Sequence, residues 1–237
     1  VEKDFDKLVH YDGPLIILNN SFTASSSEIF SGAIQDYNRG LILGESSFGK
    51  GTVQNLLGLE RFFSNRKQES FGQLKITLAK YYRISGSSTQ KIGVKPDIEF
   101  PNSYDRDVFT ENSSKNALEW DEIEDLDYNS KYYVSDQIIN KLNMIFKNHV
   151  ETDEDFKKYI SEIRRIKENR NKTSVSLNLD KRVEEKKQSE NKNVLSISLS
   201  DSEIFPVKND LIKEKLENDL YLRESLKLFV ELLNLNS

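Results

Sequence analysis

Two kinds of apolar pattern run along the chain, and the change from one to the other falls near residues 101–120. Residues 14–18 (PLIIL) form a short apolar run after the turn signal Asp12-Gly13, which predicts a buried strand. Over 25–37 the apolar positions Ile29, Phe30, Ala33 and Ile34 recur at helical spacing. Ser and Thr residues suited to N-capping precede them, and Glu28 stands three residues after Ser25, as in a capping box. Asn38-Arg39-Gly40 ends that helix, and 41–43 predicts the next strand. Strand, helix and strand within about thirty residues make a compact α/β unit.

A glycine-rich segment follows at 44–51, then 52–59, a polar excursion, and 73–84 (QLKITLAKYYRI). In that last run Leu74, Ile76 and Leu78 alternate with Lys75, Thr77 and Ala79, which predicts a strand. Gly86-Ser87-Ser88 is a turn, and 94–100 predicts a short strand interrupted by Pro96. No glycine follows Gly93. Beyond the seam, 135–149 and 153–169 have helical periodicity, with Phe156, Ile160, Ile163 and Ile166 on one face. Residues 173–179 alternate like a strand, 184–192 is a solvated charge run, and 211–235 predicts an amphipathic helix with a break near Asp219.

Composition narrows the function classes. The 237 residues suffice for one large domain or two ordinary ones. The net charge of −5 arises from 39 acidic and 34 basic residues, so the signs are mixed, and nucleic acid is not an expected partner. No apolar run approaches the ~20 residues of a membrane span. The absence of cysteine excludes disulfides, thiolate metal sites and a thiol nucleophile. With two histidines far apart, His10 and His149, neither a multi-histidine metal site nor a cofactor is expected. The chain opens at Val1 with no initiator Met and no signal peptide, as a piece beginning partway through a protein would.

Three places carry candidate chemistry. Gly44-Glu-Ser-Ser-Phe-Gly49-Lys50-Gly51-Thr52 resembles the phosphate-binding G-x-x-x-x-G-K-[ST] loop. However, Gly51 stands where a hydroxyl should directly follow Lys50, and Thr52-Val53-Gln54 does not open a helix that would hold a phosphate. A nucleotide site is therefore not expected. The second place is Ser25 with Lys50. A serine between strand and helix profits from helix-terminal N–H groups, and a lysine serves as base where desolvation leaves it neutral. Glycines on both sides of Lys50 permit close backbone approach. The competing reading is plainer: Thr23–Ser27 cap a helix and Lys50 is a loop cation, and residue types alone favour it because caps are common. His10 has no evident orienting acid and reads as a surface or packing residue. The third place, the helix over 211–235, is in keeping with partner binding but more commonly such a stripe is core.

The order of the motifs is more specific than any one of them. Ser21-Phe-Thr-Ala-Ser25-Ser-Ser-Glu-Ile-Phe30 is followed by Ala33-Ile-Gln-Asp-Tyr37 and Gly44-Glu-Ser-Ser-Phe-Gly-Lys50-Gly-Thr-Val-Gln54. Tyr82-Arg83, Gly86-Ser-Ser-Thr-Gln90 and Gly93-Val-Lys-Pro-Asp-Ile98 continue the series. Together they resemble the catalytic region of the tail-specific (carboxy-terminal processing) serine proteases. Asn116-Ala-Leu-Glu-Trp120-Asp and Ser174-Val-Ser-Leu177-Asn resemble the C-terminal helical extension of that family's long, periplasmic type. The resemblance implies an α/β fold with two parts. Residues 1–104 would be the C-terminal part of a crotonase-like (ClpP/crotonase-type) protease core, and 105–237 a mainly α-helical extension domain.

By position, the resemblance implies that Ser25 is the nucleophile, Lys50 the general base and Gln54 the side chain that orients the lysine. The backbone N–H of Ser26 would be one oxyanion donor, and Ser27 and Glu28 would cap and anchor the helix. The family's second oxyanion donor lies in a glycine-rich segment that this chain does not carry, and its PDZ module has no counterpart here. The chain is thus expected to be a fragment, inactive alone. The dyad needs no metal and no cofactor. Expected partners are protein or peptide substrates with apolar C-termini and a lipoprotein adaptor, in the bacterial periplasm or cell envelope. The rival reading is a non-catalytic scaffold or adaptor on a protease-derived fold; intact Ser25, Lys50 and Gln54 at matching spacing argue against it.

Overall fold

The computed structural model describes residues 8–62, 71–102, 104–129, 133–190 and 219–236. The apolar run after Asp12-Gly13 forms β1 (Ile16–Asn19), the helical pattern forms α1 (Ser26–Asp36), and β2 is Leu41–Gly44. β1 and β2 pair in parallel from Ile16 opposite Leu41 to Asn19 opposite Gly44. α1 is therefore the crossover that a parallel pair requires. Leu41, Ile42 and Leu43 have no exposed surface, as expected of a strand covered on both faces.

β3 (Thr52–Gly58) and β4 (Gln73–Lys80) make a separate antiparallel ribbon, and β5 (Ile98–Glu99) joins β2 in parallel, giving the order β1-β2-β5. β5 is shorter than the 94–100 pattern predicts. Pro96 has no N–H to give the ladder, and at the next residue a side chain substitutes for a strand. The Asp97 carboxylate accepts the N–H of Ile42 at 2.7 Å and the Gln35 amide at 2.8 Å. Burial raises the Asp97 carboxyl above the usual carboxylate range. β4 likewise stops at Lys80 rather than Ile84: the Tyr81 N–H gives one last rung to Gly51 O at 3.0 Å, and the Arg83 N–H then turns to Ser87 O at 2.9 Å.

The later half holds α2 (Arg106–Phe109), α3 (Asp136–Thr152), α4 (Glu154–Arg170), α5 (Leu179–Glu190) and α6 (Leu220–Asn236). Residues 173–178 are not the strand their alternation predicts. Val175 and Leu177 are 64% and 96% exposed, and no described strand pairs with them; an unpaired strand leaves its backbone groups to solvent and gains nothing. The charge run over 184–190 is helical, within α5. α6 begins just after Asp219, whose carboxylate accepts the Leu222 N–H at 3.0 Å. The start of the expected 211–235 helix and the end of the charge run lie outside the described residues. None of the described helices is long and apolar enough to cross a membrane.

The chain divides into two compact units, one drawn from Val1–Phe100, Tyr104–Asn143 and Phe229–Ser237, the other from Pro101–Ser103 and Met144–Leu228. In the second unit Phe146 and Phe156 meet edge to face at 5.8 Å, and the Tyr159 and Tyr221 hydroxyls are 3.1 Å apart. Glu224, with no exposed surface, is matched there by His149 at 2.5 Å and Lys227 at 3.2 Å. All the candidate site residues belong to the first unit.

Candidate active site

Ser25 ends the loop from β1 into α1 with φ 57° and ψ −116°, a backbone conformation that costs a serine about 1–3 kcal/mol. Something outside the residue must hold it. Glu28, in the first turn of α1, has no exposed surface and accepts from four donors. Its Oε2 takes the Ser25 N–H at 2.8 Å and the Lys50 N–H at 2.9 Å. Its Oε1 takes the Gly49 N–H at 2.7 Å and the Ser47 hydroxyl at 2.5 Å. A buried carboxylate is tolerated only with such a full set of donors. Capping, which the spacing predicts for Glu28, is thus half of what it does; the other half ties the serine loop to the 44–51 segment.

That segment is also held from outside. Gly49 has φ +93°, and a Cβ there would meet the Lys91 carbonyl carbon at 2.8 Å, so glycine is required. The Lys91 N–H donates to Gly49 O at 2.7 Å. Buried Gln90 accepts the Gly51 N–H at 2.9 Å and donates to Glu111 at 3.1 Å. The Arg106 guanidinium donates to Ser46 O at 2.9 Å, Ser47 O at 2.7 Å and Ile92 O at 2.9 Å. Finally, the Tyr81 hydroxyl donates to Lys50 O and lies 3.2 Å from Ser25 O, while the Thr89 hydroxyl donates to it at 3.2 Å. Burial pushes the Tyr81 phenol up to about 12.

The backbones of Ser25 and Lys50 therefore meet on two shared groups, Glu28 and Tyr81. Their side chains are placed otherwise. Lys50 Nζ donates to Thr52 O at 3.1 Å, and Gln54, exposed on β3, donates to Thr77 Oγ1 across the ribbon at 3.4 Å. No hydrogen bond joins Lys50 Nζ to Ser25 or Gln54 to Lys50 among the described residues. Ser26 is the first residue of α1 and is exposed, so its N–H has no intrahelical acceptor. The residues after Lys50 form a strand, which removes the helix a phosphate loop would need. No group of three or more His, Asp or Glu able to hold a metal exists among the described residues.

Tyr81 and Arg106 escape sequence reasoning altogether. An aromatic at the end of an alternating run reads as core, and an arginine in a charged stretch reads as surface. Gln90 and Ser47 lie inside the quoted motifs, yet their support of the loop depends on contacts dozens of residues apart.

Compared with known proteins, residues 2–100 match Peptidase family S41, and residues 104–234 match the C-terminal domain of tail specific protease. A tail-specific protease of Haemophilus influenzae is 33% identical over 245 aligned positions, covering 100% of this chain and 35% of that protein. A carboxy-terminal-processing protease of Bartonella bacilliformis is 46% identical over 85 positions, 36% of this chain and 18% of that protein. This chain thus spans well under half the length of either relative. A solved photosystem II D1 C-terminal processing protease is 39% identical over 37% of this chain and 20% of its own, with a TM-score of 0.30, too low to compare overall arrangements.

Proposed function

The chain belongs to the tail-specific proteases of peptidase family S41, and from that membership we propose that it carries the Ser–Lys dyad of a serine endopeptidase. Ser25 Oγ attacks the scissile carbonyl carbon as the neutral amine of Lys50 takes its proton. The Ser26 N–H donates to the developing oxyanion at the start of α1. The C–N bond then breaks, the leaving amine takes the proton back from Lys50, and water activated by Lys50 hydrolyses the ester. Gln54 orients the lysine amine.

The observation that carries this reading is the shared carboxylate oxygen: Glu28 Oε2 accepts from both Ser25 N and Lys50 N, at 2.8 and 2.9 Å. The roots of nucleophile and base are thereby fixed to one atom. The Lys50 amine that donates to Thr52 O stands on a flexible four-carbon stem, so that bond is not fixed by the backbone as the two amides are. The opposing observation, that Lys50 and Gln54 bond to Thr52 and Thr77 instead, is what a non-catalytic scaffold would retain.

The same reading assigns 1–104 to the later part of a crotonase-like core and 105–237 to a helical extension. Its substrates are proteins of the bacterial envelope entered from apolar C-terminal tails, with a lipoprotein as adaptor, and the chain is a fragment that needs the rest of its protein for turnover. The test is cleavage of an unstructured peptide with an apolar C-terminus by the full-length protein containing this chain. Ser25→Ala and Lys50→Ala are each expected to lower kcat/KM by about 10³-fold or more with melting unchanged. Undiminished cleavage by Lys50→Ala would remove Lys50 as base, and no cleavage by any form would favour the scaffold.

A further inference from the structure

Two residues are held on both sides of their Cα atoms by the same pair of groups. Glu28 Oε2 takes the amide nitrogens of Ser25 and Lys50 at 2.8 and 2.9 Å. On the carbonyl side, the single hydroxyl of Tyr81 donates to Lys50 O and lies within hydrogen-bond distance of Ser25 O, at 3.2 Å. A residue whose two flanking peptide planes are both tied has its φ and ψ set, and with them the direction of its Cα–Cβ bond. Ser25 has particular need of this, since φ 57° and ψ −116° persist only where the surroundings over-determine them.

Tyr81 is itself anchored to the same loop. Its N–H donates to Gly51 O at 3.0 Å, and the Thr89 hydroxyl donates to its phenol oxygen at 3.2 Å, which leaves the phenol proton for the carbonyls. We propose that Tyr81 is a positioning residue for the reaction of Ser25 and Lys50: its hydroxyl, donating to Lys50 O against a Ser25 carbonyl that the Glu28 and Ile29 N–H groups also hold at 2.8 and 3.0 Å, fixes the separation and aim of nucleophile and base. This rests on the dyad reading above. Because burial raises the phenol to about 12, it stays a neutral donor throughout the working pH range.

A tyrosine that merely filled space would act through its ring. The ring lines a cavity of about 90 Å³ with Ile29, Arg83 and Thr89, and Tyr81→Phe leaves it in place while deleting the grip. In the full-length protein, Tyr81→Phe is expected to lower kcat by about 10- to 100-fold, the loss that follows a misplacement of about 1 Å. KM should stay within about two-fold, and the melting temperature should stay near that of the parent. Thr89→Val, which keeps the phenol but loses the donor that directs it, is expected to lower kcat in the same sense by less. Ser25→Ala and Lys50→Ala run beside them separate the two ideas. If those two abolish cleavage while Tyr81→Phe keeps the parent kcat, or loses activity only in proportion to lost folded protein, the positioning role is overturned and the dyad stands. If Ser25→Ala or Lys50→Ala cleaves as the parent does, the dyad reading falls and the role of Tyr81 falls with it.

Discussion

Glu28 concentrates more of the site than any other side chain. Removing it strands three amide N–H groups, those of Ser25, Gly49 and Lys50, together with the Ser47 hydroxyl. Each is a bond to a carboxylate with no exposed surface, so Glu28→Ala is expected to lower the unfolding free energy by about 3 kcal/mol or more. Urea denaturation of the parent and the variant measures this. Glu28→Gln should recover little, because its NH₂ would face N–H donors where an oxygen is needed. A loss below about 0.5 kcal/mol would mean that the four donors find other acceptors easily. The capping half of this role was legible in the spacing from Ser25 to Glu28. The other half was not, since Ser47, Gly49 and Lys50 come near only after β2 has paired with β1. Nor does a serine announce a positive φ in sequence, as a glycine would.

At the scale of elements, the helices with an apolar face were legible and their limits nearly so, because that face and a cap are local signals; α5, most of which reads as a solvated charge run, was not. α4 spans Glu154–Arg170 where periodicity places 153–169, with Asp153 as N-cap accepting from Asp155 N at 2.8 Å. Strands were less legible. The run 173–179 alternates as well as β4 does yet no described strand pairs with it, and β5 yields its first residues to Pro96 and the Asp97 side chain; pairing is not written in either run alone. The Asp153 cap carries a pH signature. Partial burial works to raise its carboxyl, but the N–H groups of Asp155 and Phe156, then Arg223 and Lys227, prevail and hold it below the usual carboxylate range. A carboxyl depressed in the folded state stabilises fully above its unfolded pKa of about 3.9 and stops doing so as pH falls through the lower folded value. Asp153→Ala is therefore expected to cost about 1 kcal/mol near neutrality. The difference from the parent should shrink steadily below about pH 4. A gap that stayed constant down to pH 2 would assign the effect to packing.

For the molecule as a whole, the family was legible because its motifs keep their order along the entire chain, whereas the exposed faces of the β3–β4 ribbon were not. Val53, Leu56, Leu74 and Leu78 on that ribbon are 45%, 56%, 47% and 58% exposed. The pairing puts Leu74 and Leu78 on one face and Val53 and Leu56 on the other, and a two-stranded ribbon with apolar side chains exposed on both faces is not a stable sheet by itself. In the proposed site, moreover, the reading assigns one oxyanion donor among the described residues, the Ser26 N–H, and expects its partner in the rest of the full-length protein. A single missing donor lowers kcat by about 10²–10³-fold. The isolated chain, compared with the full-length protein on the same peptide, is thus expected to turn over at least ~10²-fold more slowly and to self-associate through the ribbon. Leu74→Lys with Leu78→Lys should reduce that association, read by light scattering, without restoring turnover, which separates the solubility defect from the incomplete oxyanion site. Turnover by the isolated chain close to that of the full-length protein, and lost on Ser25→Ala, would mean that Ser25, Ser26 and Lys50 already make a sufficient site and that the ribbon is an ordinary surface.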